Sequence, residues 1–305
     1  MTAELPRPLR GIVPPLVTPL VDRDALDVAG LERLIEHILA GGVHGLFILG
    51  TTGEAPSLSY RLRNEVIRRA CRQVAGRVPV LVGITDTSFI ETIHLAQAAA
   101  AAGAQGVVLA PPYYFTAGQS ELLAYLEALA PEMPLPLYLY NMPSHTKLVF
   151  QPALVRQAAD LPNVVGLKDS SANMIYFHEL LHLFEGRRDF SLLVGPEELL
   201  AETLMLGGHG GINGGANFFP RLYVDLYEAA RAKDLDRVGV LHRQVIRIST
   251  TIYSVTRDSS SYLRGLKCAL SCLGLCDDFL AEPFRRFGEE EREKIRGYLA
   301  DLKLL

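Results

Sequence analysis

Val164-Val165-Gly166-Leu167-Lys168-Asp169-Ser170 is an apolar run that ends at a lysine and two further polar residues. A run bounded in this way reads as a parallel strand buried on both faces, with Lys168 delivered at its C-terminal end. An amine whose stem is packed in a low-dielectric strand end loses solvation of its charged form. Its pKa falls, and the neutral, nucleophilic form becomes accessible near pH 7. An isolated strand-end lysine can equally snorkel out of the sheet, so the segments around this one decide.

Outward from it, short apolar runs alternate with amphipathic, helix-period segments. Strands are expected at residues 11–17, 45–49, 79–82, 106–109, 137–140, 164–167, 191–194 and 210–213, and helices near 28–40, 60–74, 90–101, 120–129, 152–159, 174–184, 197–206 and 220–230. Such a series of strand–helix units predicts an α/β fold, a closed (β/α)8 TIM barrel. An open doubly wound sheet fits less well, because no Gly-x-Gly-x-x-Gly follows the first strand. Beyond Lys233 the alternation stops, and segments near 236–253, 261–272 and 290–302 read as helices only. The expected organisation is a catalytic barrel over residues 1–232 and a C-terminal helical domain over residues 233–305.

The 305 residues are 49% hydrophobic and 21% charged, with a formal net charge of −4. That composition supports a large core, argues against disorder, and lacks the basic field that recruits nucleic acid. No apolar stretch reaches the roughly 18 residues of a membrane span, and prolines interrupt the first residues where a signal peptide needs an apolar helix. A cytoplasmic location is expected, with neither nucleic acid nor membrane as partner. Cys268, Cys272 and Cys276 recur every four residues but have no histidine near them. They read as packing residues, and no disulfide is expected.

Barrel chemistry sits where strands end and βα loops begin, and here those junctions are loaded. The second strand runs into Gly50-Thr51-Thr52-Gly53-Glu54, the fourth into Pro111-Pro112-Tyr113-Tyr114, and the fifth into Tyr140-Asn141-Met142-Pro143-Ser144-His145-Thr146. The eighth ends in Gly211-Ile212-Asn213-Gly214-Gly215-Ala216-Asn217. A nucleophilic lysine facing tyrosines and a threonine has the parts for imine chemistry: an amine to condense with a ketone, and hydroxyls to move the protons. The glycines beside Thr51 and Thr52 let backbone N–H groups approach an anion, which suits a carboxylate next to that ketone. A 2-oxo acid is the natural substrate, with neither metal nor organic cofactor required.

On the Gly-Thr-Thr-Gly-Glu loop, the Tyr140-Asn141-Met142-Pro143 segment and Gly166-Leu167-Lys168-Asp169-Ser170, the chain resembles the dihydrodipicolinate synthase and N-acetylneuraminate lyase family of pyruvate-dependent class I aldolases. The resemblance covers nearly the whole length. It implies that Lys168 forms a Schiff base with pyruvate and that Tyr140 shuttles protons. Thr51 would link Tyr140 to Tyr114, and Thr52 with its backbone amide and the adjacent Gly53 would hold the pyruvate carboxylate. Gly195 and Ile212 would line the pyruvate pocket. Tyr114 would reach across a subunit interface in a homotetramer built as a dimer of dimers.

The chain departs from that pattern at the acceptor end. The synthase branch carries an arginine that grips the carboxylate of aspartate semialdehyde, where this chain has His145. A partly neutral imidazole cannot form the two-pronged bond, a loss on the order of a few kcal/mol of carboxylate recognition. Asn213, Gly214 and Gly215 stand where synthases carry a Ser-Val-Thr type sequence, leaving a roomier pocket with an amide donor and acceptor. The reading is therefore an aldolase or dehydratase acting on a 2-oxo-3-deoxy sugar acid or related 2-oxo acid. The alternative is 4-hydroxy-tetrahydrodipicolinate synthase, condensing pyruvate with aspartate semialdehyde. Tyr60, Arg63 and Thr87 depart from the synthases' lysine-inhibition site while Tyr113 and Glu91 match it, so lysine feedback is not expected.

Three rivals remain open. His178-Glu179-Leu180-Leu181-His182 matches a zinc hydrolase motif, with Glu202 as a third ligand. The run Gly207-Gly208-His209-Gly210-Gly211 could cradle a phosphate, as loops after the last two barrel strands often do. The third is a barrel that binds a 2-oxo acid without turning it over.

Overall fold

The computed structural model describes residues 5–305. Eight parallel strands form one sheet: β1 (Gly11–Ile12), β2 (Leu46–Ile48), β3 (Val80–Gly83), β4 (Gly106–Leu109), β5 (Leu137–Asn141), β6 (Val164–Asp169), β7 (Ser191–Val194) and β8 (Gly210–Gly211). From β2 to β8 each strand pairs with the next in chain order, and β8 pairs with β1 through Gly11↔Gly210 and Ile12↔Gly211. The remaining gap closes at a parallel bridge between Pro15 and Phe47, where the Leu16 N–H donates to the Phe47 carbonyl at 2.8 Å. The TIM barrel expected from the alternation is the observed fold.

Two apolar layers hold it. Side chains from alternate strand positions fill the inside of the barrel, among them Val13, Phe47, Leu81, Val108, Tyr138, Tyr140, Leu193 and Ile212. The opposite strand faces, with Ile48, Val82, Leu109, Leu139, Leu167 and Val194, pack against the surrounding helices. Period-two alternation thus gives each strand one face to each layer, which is why these strands are apolar throughout. Gly166 faces inward opposite Tyr138, where a Cβ would fall 2.6 Å from the tyrosine ring. An irregularity in the β5–β6 register just before this point leads into the pairing of Tyr140 with Lys168.

The first strand is shorter than the expected 11–17, because Pro14 and Pro15 have no N–H to give to a ladder. A small antiparallel hairpin, Leu20–Asp22 with Ala25–Leu26, follows it and was not anticipated. A short helix, Pro143–Thr146, occupies the expected loop after β5, and the helical segment after β7 begins as a 3-10 turn, Glu197–Leu199, before Leu200–Met205.

After the helix Pro220–Ala232 the chain turns at Lys233 in the left-handed conformation and continues into Leu235–Thr251, Ser261–Cys272 and Glu289–Asp301. These helices share one apolar cluster with the outer layer of the barrel, through residues such as Leu241, Ile248, Leu266 and Leu270. All four cysteines are free thiols. No helix among the described residues is long and apolar enough to cross a membrane.

Candidate active site

Lys168 and Tyr140 are direct neighbours on β6 and β5, both facing the barrel interior near its C-terminal mouth. The Lys168 Nζ lies 4.1 Å from the centre of the Tyr140 ring and 5.1 Å from that of Phe47. Only 4% of Lys168 is exposed. Burial lowers its pKa from the ordinary lysine value, against the smaller opposing pull of Tyr140 and Asp169. One residue further along each strand, Asn141 pairs with Asp169, and the Asn141 side-chain amide donates to Asp169 Oδ1 at 2.8 Å. Ser171 adds its backbone N–H and its hydroxyl to the same carboxylate. The two polar partners lock the strand ends that present the lysine and the tyrosine.

The loop after β2 supplies the next groups. Leu49 and Glu54 bracket it with positive φ angles of 57° and 55°, which bend the backbone back over the barrel mouth. Thr51 Oγ1 is 3.3 Å from the Tyr140 hydroxyl, close enough for proton exchange between them. The Thr52 side chain is buried, 3.1 Å from the Tyr262 hydroxyl. The Gly53 carbonyl accepts from Thr18 Oγ1 at 2.7 Å. Glu54 turns inward to an ion pair with Lys267, whose ammonium also donates to the Phe279 carbonyl at 2.7 Å, while Glu54 Oε2 accepts the Ala281 N–H at 2.9 Å. Lys267 is 0% exposed and Glu54 3%, so the loop after β2 is fastened by a sealed charge pair.

Other candidates occupy supporting places. Ile212 belongs to the same interior layer of the barrel as Tyr140. The Gly195 N–H donates to the Asp169 carbonyl at 2.7 Å, and a Cβ at this position would collide with Ser170 Oγ at 1.9 Å. Asn213 is fully buried and donates from its amide to the Gly195 carbonyl at 3.0 Å, so its donor clamps β7 to β8. His145 sits on the short helix after β5, its Nδ1 2.9 Å from Ser144 Oγ. Partial desolvation and the neighbouring Lys147 charge hold this imidazole below its ordinary pKa. Tyr114 stands apart: it is 77% exposed, its ring rests against Phe115 at 5.0 Å, and within one chain it makes no hydrogen bond to Thr51. Tyr60 and Arg63 both engage Asp86, at 2.9 and 3.2 Å.

The rival sites fall elsewhere. His178, Glu179 and His182 are exposed on the outer helix Met174–Leu183, where His182 lies 3.8 Å from Glu185. Among the described residues, no three metal-ligating side chains converge, so Glu202 does not complete a zinc set. The Gly207–Gly211 run leads into β8 and therefore lies at the N-terminal end of the barrel, opposite Lys168. The sequence around it is poor in cations, yet the fold brings Arg10, Arg231 and Lys233 to the same cleft.

Residues invisible to motif reading complete the mouth. Glu197 is buried at the start of the 3-10 turn after β7, and its Oε1 accepts from Tyr253 at 2.9 Å and from Tyr223. Its other oxygen takes the Gly215 N–H at 2.9 Å. Burial pushes this carboxyl up to about 7 despite those hydrogen bonds. The only advance sign was the position of Glu197 at a strand–loop junction, since its tyrosine partners come from distant segments.

The sequence pattern of the Dihydrodipicolinate synthetase family matches residues 8–302. The chain belongs to this family. Among dihydrodipicolinate synthetase family structures, a dihydrodipicolinate synthase from Bacteroides thetaiotaomicron is 57% identical, with a TM-score of 0.95 and coverage of 97% of this chain and 99% of that one. YagE, a prophage protein of Escherichia coli K12 solved in complex with pyruvate, is 33% identical, with a TM-score of 0.91 over 97% of this chain and 99% of its own. By sequence YagE is 37% identical over 240 residues, 78% of this chain and 80% of its length, and its name proposes a 2-dehydro-3-deoxy-D-gluconate aldolase. The 4-hydroxy-tetrahydrodipicolinate synthase of Methanoculleus marisnigri is 34% identical over 295 residues, 95% of this chain and 98% of its own. This family member is a barrel-folded lyase or aldolase.

Proposed function

We propose that this lyase works through an imine between Lys168 and pyruvate, and that it joins the resulting nucleophile to an aldehyde. The observation that carries the reading is the buried, pKa-lowered Lys168 packed on Tyr140, with Tyr140 within hydrogen-bond range of Thr51. The neutral amine attacks the ketone carbon. Tyr140 relays protons to and from Thr51 while one water departs, and loss of a methyl proton then gives an enamine whose carbon attacks the acceptor. Thr52, at the turn beside Gly53, holds the carboxylate.

For the acceptor, aspartate semialdehyde has the broader support. The relative at 57% identity over nearly the whole chain is a synthase by name, as is the one from Methanoculleus marisnigri at 34%, whereas the sugar-acid aldolases are similar at 32–37%. This condensation therefore takes precedence over cleavage of a 2-oxo-3-deoxy sugar acid, the reading that His145 favours. Two observations favour that second reading: the similarity to YagE, and a histidine where a fork-forming arginine would serve the semialdehyde. The exposed Tyr114–Phe115 pair supports a further inference that a second copy of the chain covers it and brings Tyr114 to the site. Sedimentation of the wild type as a monomer would remove that part.

The deciding experiment is borohydride reduction with pyruvate, followed by peptide mass analysis, then a comparison of turnover with aspartate semialdehyde and with a panel of 2-oxo-3-deoxy sugar acids. A three-carbon adduct at Lys168 is the expected result. No adduct, or an adduct at another lysine, refutes the mechanism. Faster turnover of a sugar acid would reverse the order of the two readings.

A further inference from the structure

Tyr262 comes from the C-terminal helix Ser261–Cys272 and reaches the barrel mouth. Its hydroxyl meets Thr52 Oγ1 at 3.1 Å, and this is the one side-chain hydrogen bond of either residue among the described residues. The Tyr262 ring packs edge-on to Tyr253, 4.8 Å between centres. The glycine-rich turn after β8 makes room for it, since a Cβ on Gly214 would fall 2.0 Å from the Tyr262 oxygen. Tyr253 in turn donates to Glu197, as does Tyr223, and the Gly215 N–H completes that carboxylate's partners. A chain of contacts thus runs from a buried carboxylate to the hydroxyl placed to receive the substrate.

A threonine hydroxyl has one proton and two acceptor sites. If Thr52 donated its proton to Tyr262, its lone pairs would face the incoming carboxylate, a repulsive arrangement in a site of low dielectric. If Tyr262 donates instead, the Thr52 proton is left for the anion. Burial first, and the Glu197 charge second, raise the pKa of Tyr262 well above the ordinary tyrosine value. The phenol therefore stays protonated and available as the donor.

We propose that Tyr262 is a positioning residue for the oxo-acid carboxylate, acting by donating a hydrogen bond to Thr52 Oγ1 so that the Thr52 proton points to the substrate. The proposal rests on the reading that pyruvate is bound at Lys168 with its carboxylate on Thr52. It assigns part of the substrate site to the C-terminal helices, a contribution carried by no strand-end motif.

The test compares wild type, Tyr262→Phe, Thr52→Val and the double variant in borohydride trapping at Lys168 as a function of pyruvate concentration, with urea unfolding of each as a folding control. Tyr262→Phe should raise the half-saturating pyruvate concentration several-fold, up to about tenfold, the size of one neutral hydrogen bond, with a much smaller change in the maximal rate of trapping. Thr52→Val should raise it at least as far, and the double variant should be no worse than Thr52→Val alone. Saturation of Tyr262→Phe at the wild-type concentration, or full additivity of the two changes, overturns the proposal while leaving the imine reading intact. Failure of wild type to trap pyruvate at all overturns both.

Discussion

Glu54 and Lys267 form an ion pair in which both side chains are almost wholly sealed from solvent, joining the loop after the second barrel strand to the C-terminal helices. Two charges held in such a place are tolerable only as a pair. Removing one leaves the other without solvent or counter-charge. Lys267→Met should therefore lower stability by about 3–5 kcal/mol, and Glu54→Gln with Lys267→Met together should recover a large part of the loss. Urea denaturation midpoints of the two variants check this. A single variant as stable as wild type would show that water reaches the pair.

A second expectation concerns Lys168 itself. Its folded pKa lies below the unfolded value because burial disfavours the ammonium. Between the two values the unfolded chain binds more protons, so this residue's penalty on stability is greatest at low pH and fades as pH rises toward the unfolded pKa of about 10.4. Lys168→Met should accordingly be more stable than wild type at pH 7, with the gap narrowing at pH 9. Denaturation curves at both values read it out, and the same variant should form no borohydride adduct with pyruvate.

Glu197 gives the opposite sign to an ordinary paired carboxylate. Its pKa is raised from 4.5 to about 7 by burial, so the folded protein binds a proton that the unfolded chain has released across that interval. The stability from this group is present below about pH 4.5 and is lost as pH rises through about 7, by up to about 3 kcal/mol. Glu197→Gln should flatten that part of the stability profile and leave the variant more stable than wild type at pH 8. Melting temperatures measured from pH 5 to 8 provide the check, and an unchanged slope would place the proton elsewhere.

The acceptor question has its own variant. His145 lies on the turn after Tyr140 with a lowered pKa, so at pH 7 it presents a largely neutral ring. His145→Arg should lower KM for aspartate semialdehyde about tenfold or more through a two-pronged bond to its carboxylate, with KM for pyruvate little changed. Steady-state kinetics with each substrate varied in turn decide it. An unchanged semialdehyde KM would mean that the acceptor carboxylate is gripped from another side.

How far the chain could be read varied with the range of the interactions involved. The strand Val164–Asp169 was legible because burial on both faces leaves an unbroken apolar run, and the pairing of its lysine with Tyr140 followed from barrel order. Pro14 and Pro15 interrupt an otherwise strand-like apolar run, and the first strand, Gly11–Ile12, is shorter than that run. The hairpin Leu20–Asp22 with Ala25–Leu26 turns through Arg23 and Asp24, with none of the glycine or asparagine signals that mark tight turns. In the site, the motif residues Thr51, Thr52, Tyr140 and Lys168 did converge on one mouth. Their supports, Tyr262, Lys267 and the tyrosines around Glu197, did not show, because each meets its partner only after the chain has closed on itself. His178 and His182 illustrate the reverse: the local spacing was right for a metal, and the helix simply turns them outward.

The fastening of Glu54 to Lys267, Phe279 and Ala281 also bears on how the protein matures during synthesis. A ribosome that has released the first 232 residues has delivered Lys168, Tyr140, Thr51 and Thr52. The loop carrying Thr51 and Thr52 still lacks its anchor at that stage, so the nascent barrel holds its chemical groups without the means to keep them in register. Competence to take up pyruvate should therefore arrive late, with the helix that carries Tyr262 and Lys267, and a chain stopped short of that helix would be born with a complete set of reagents and no working site.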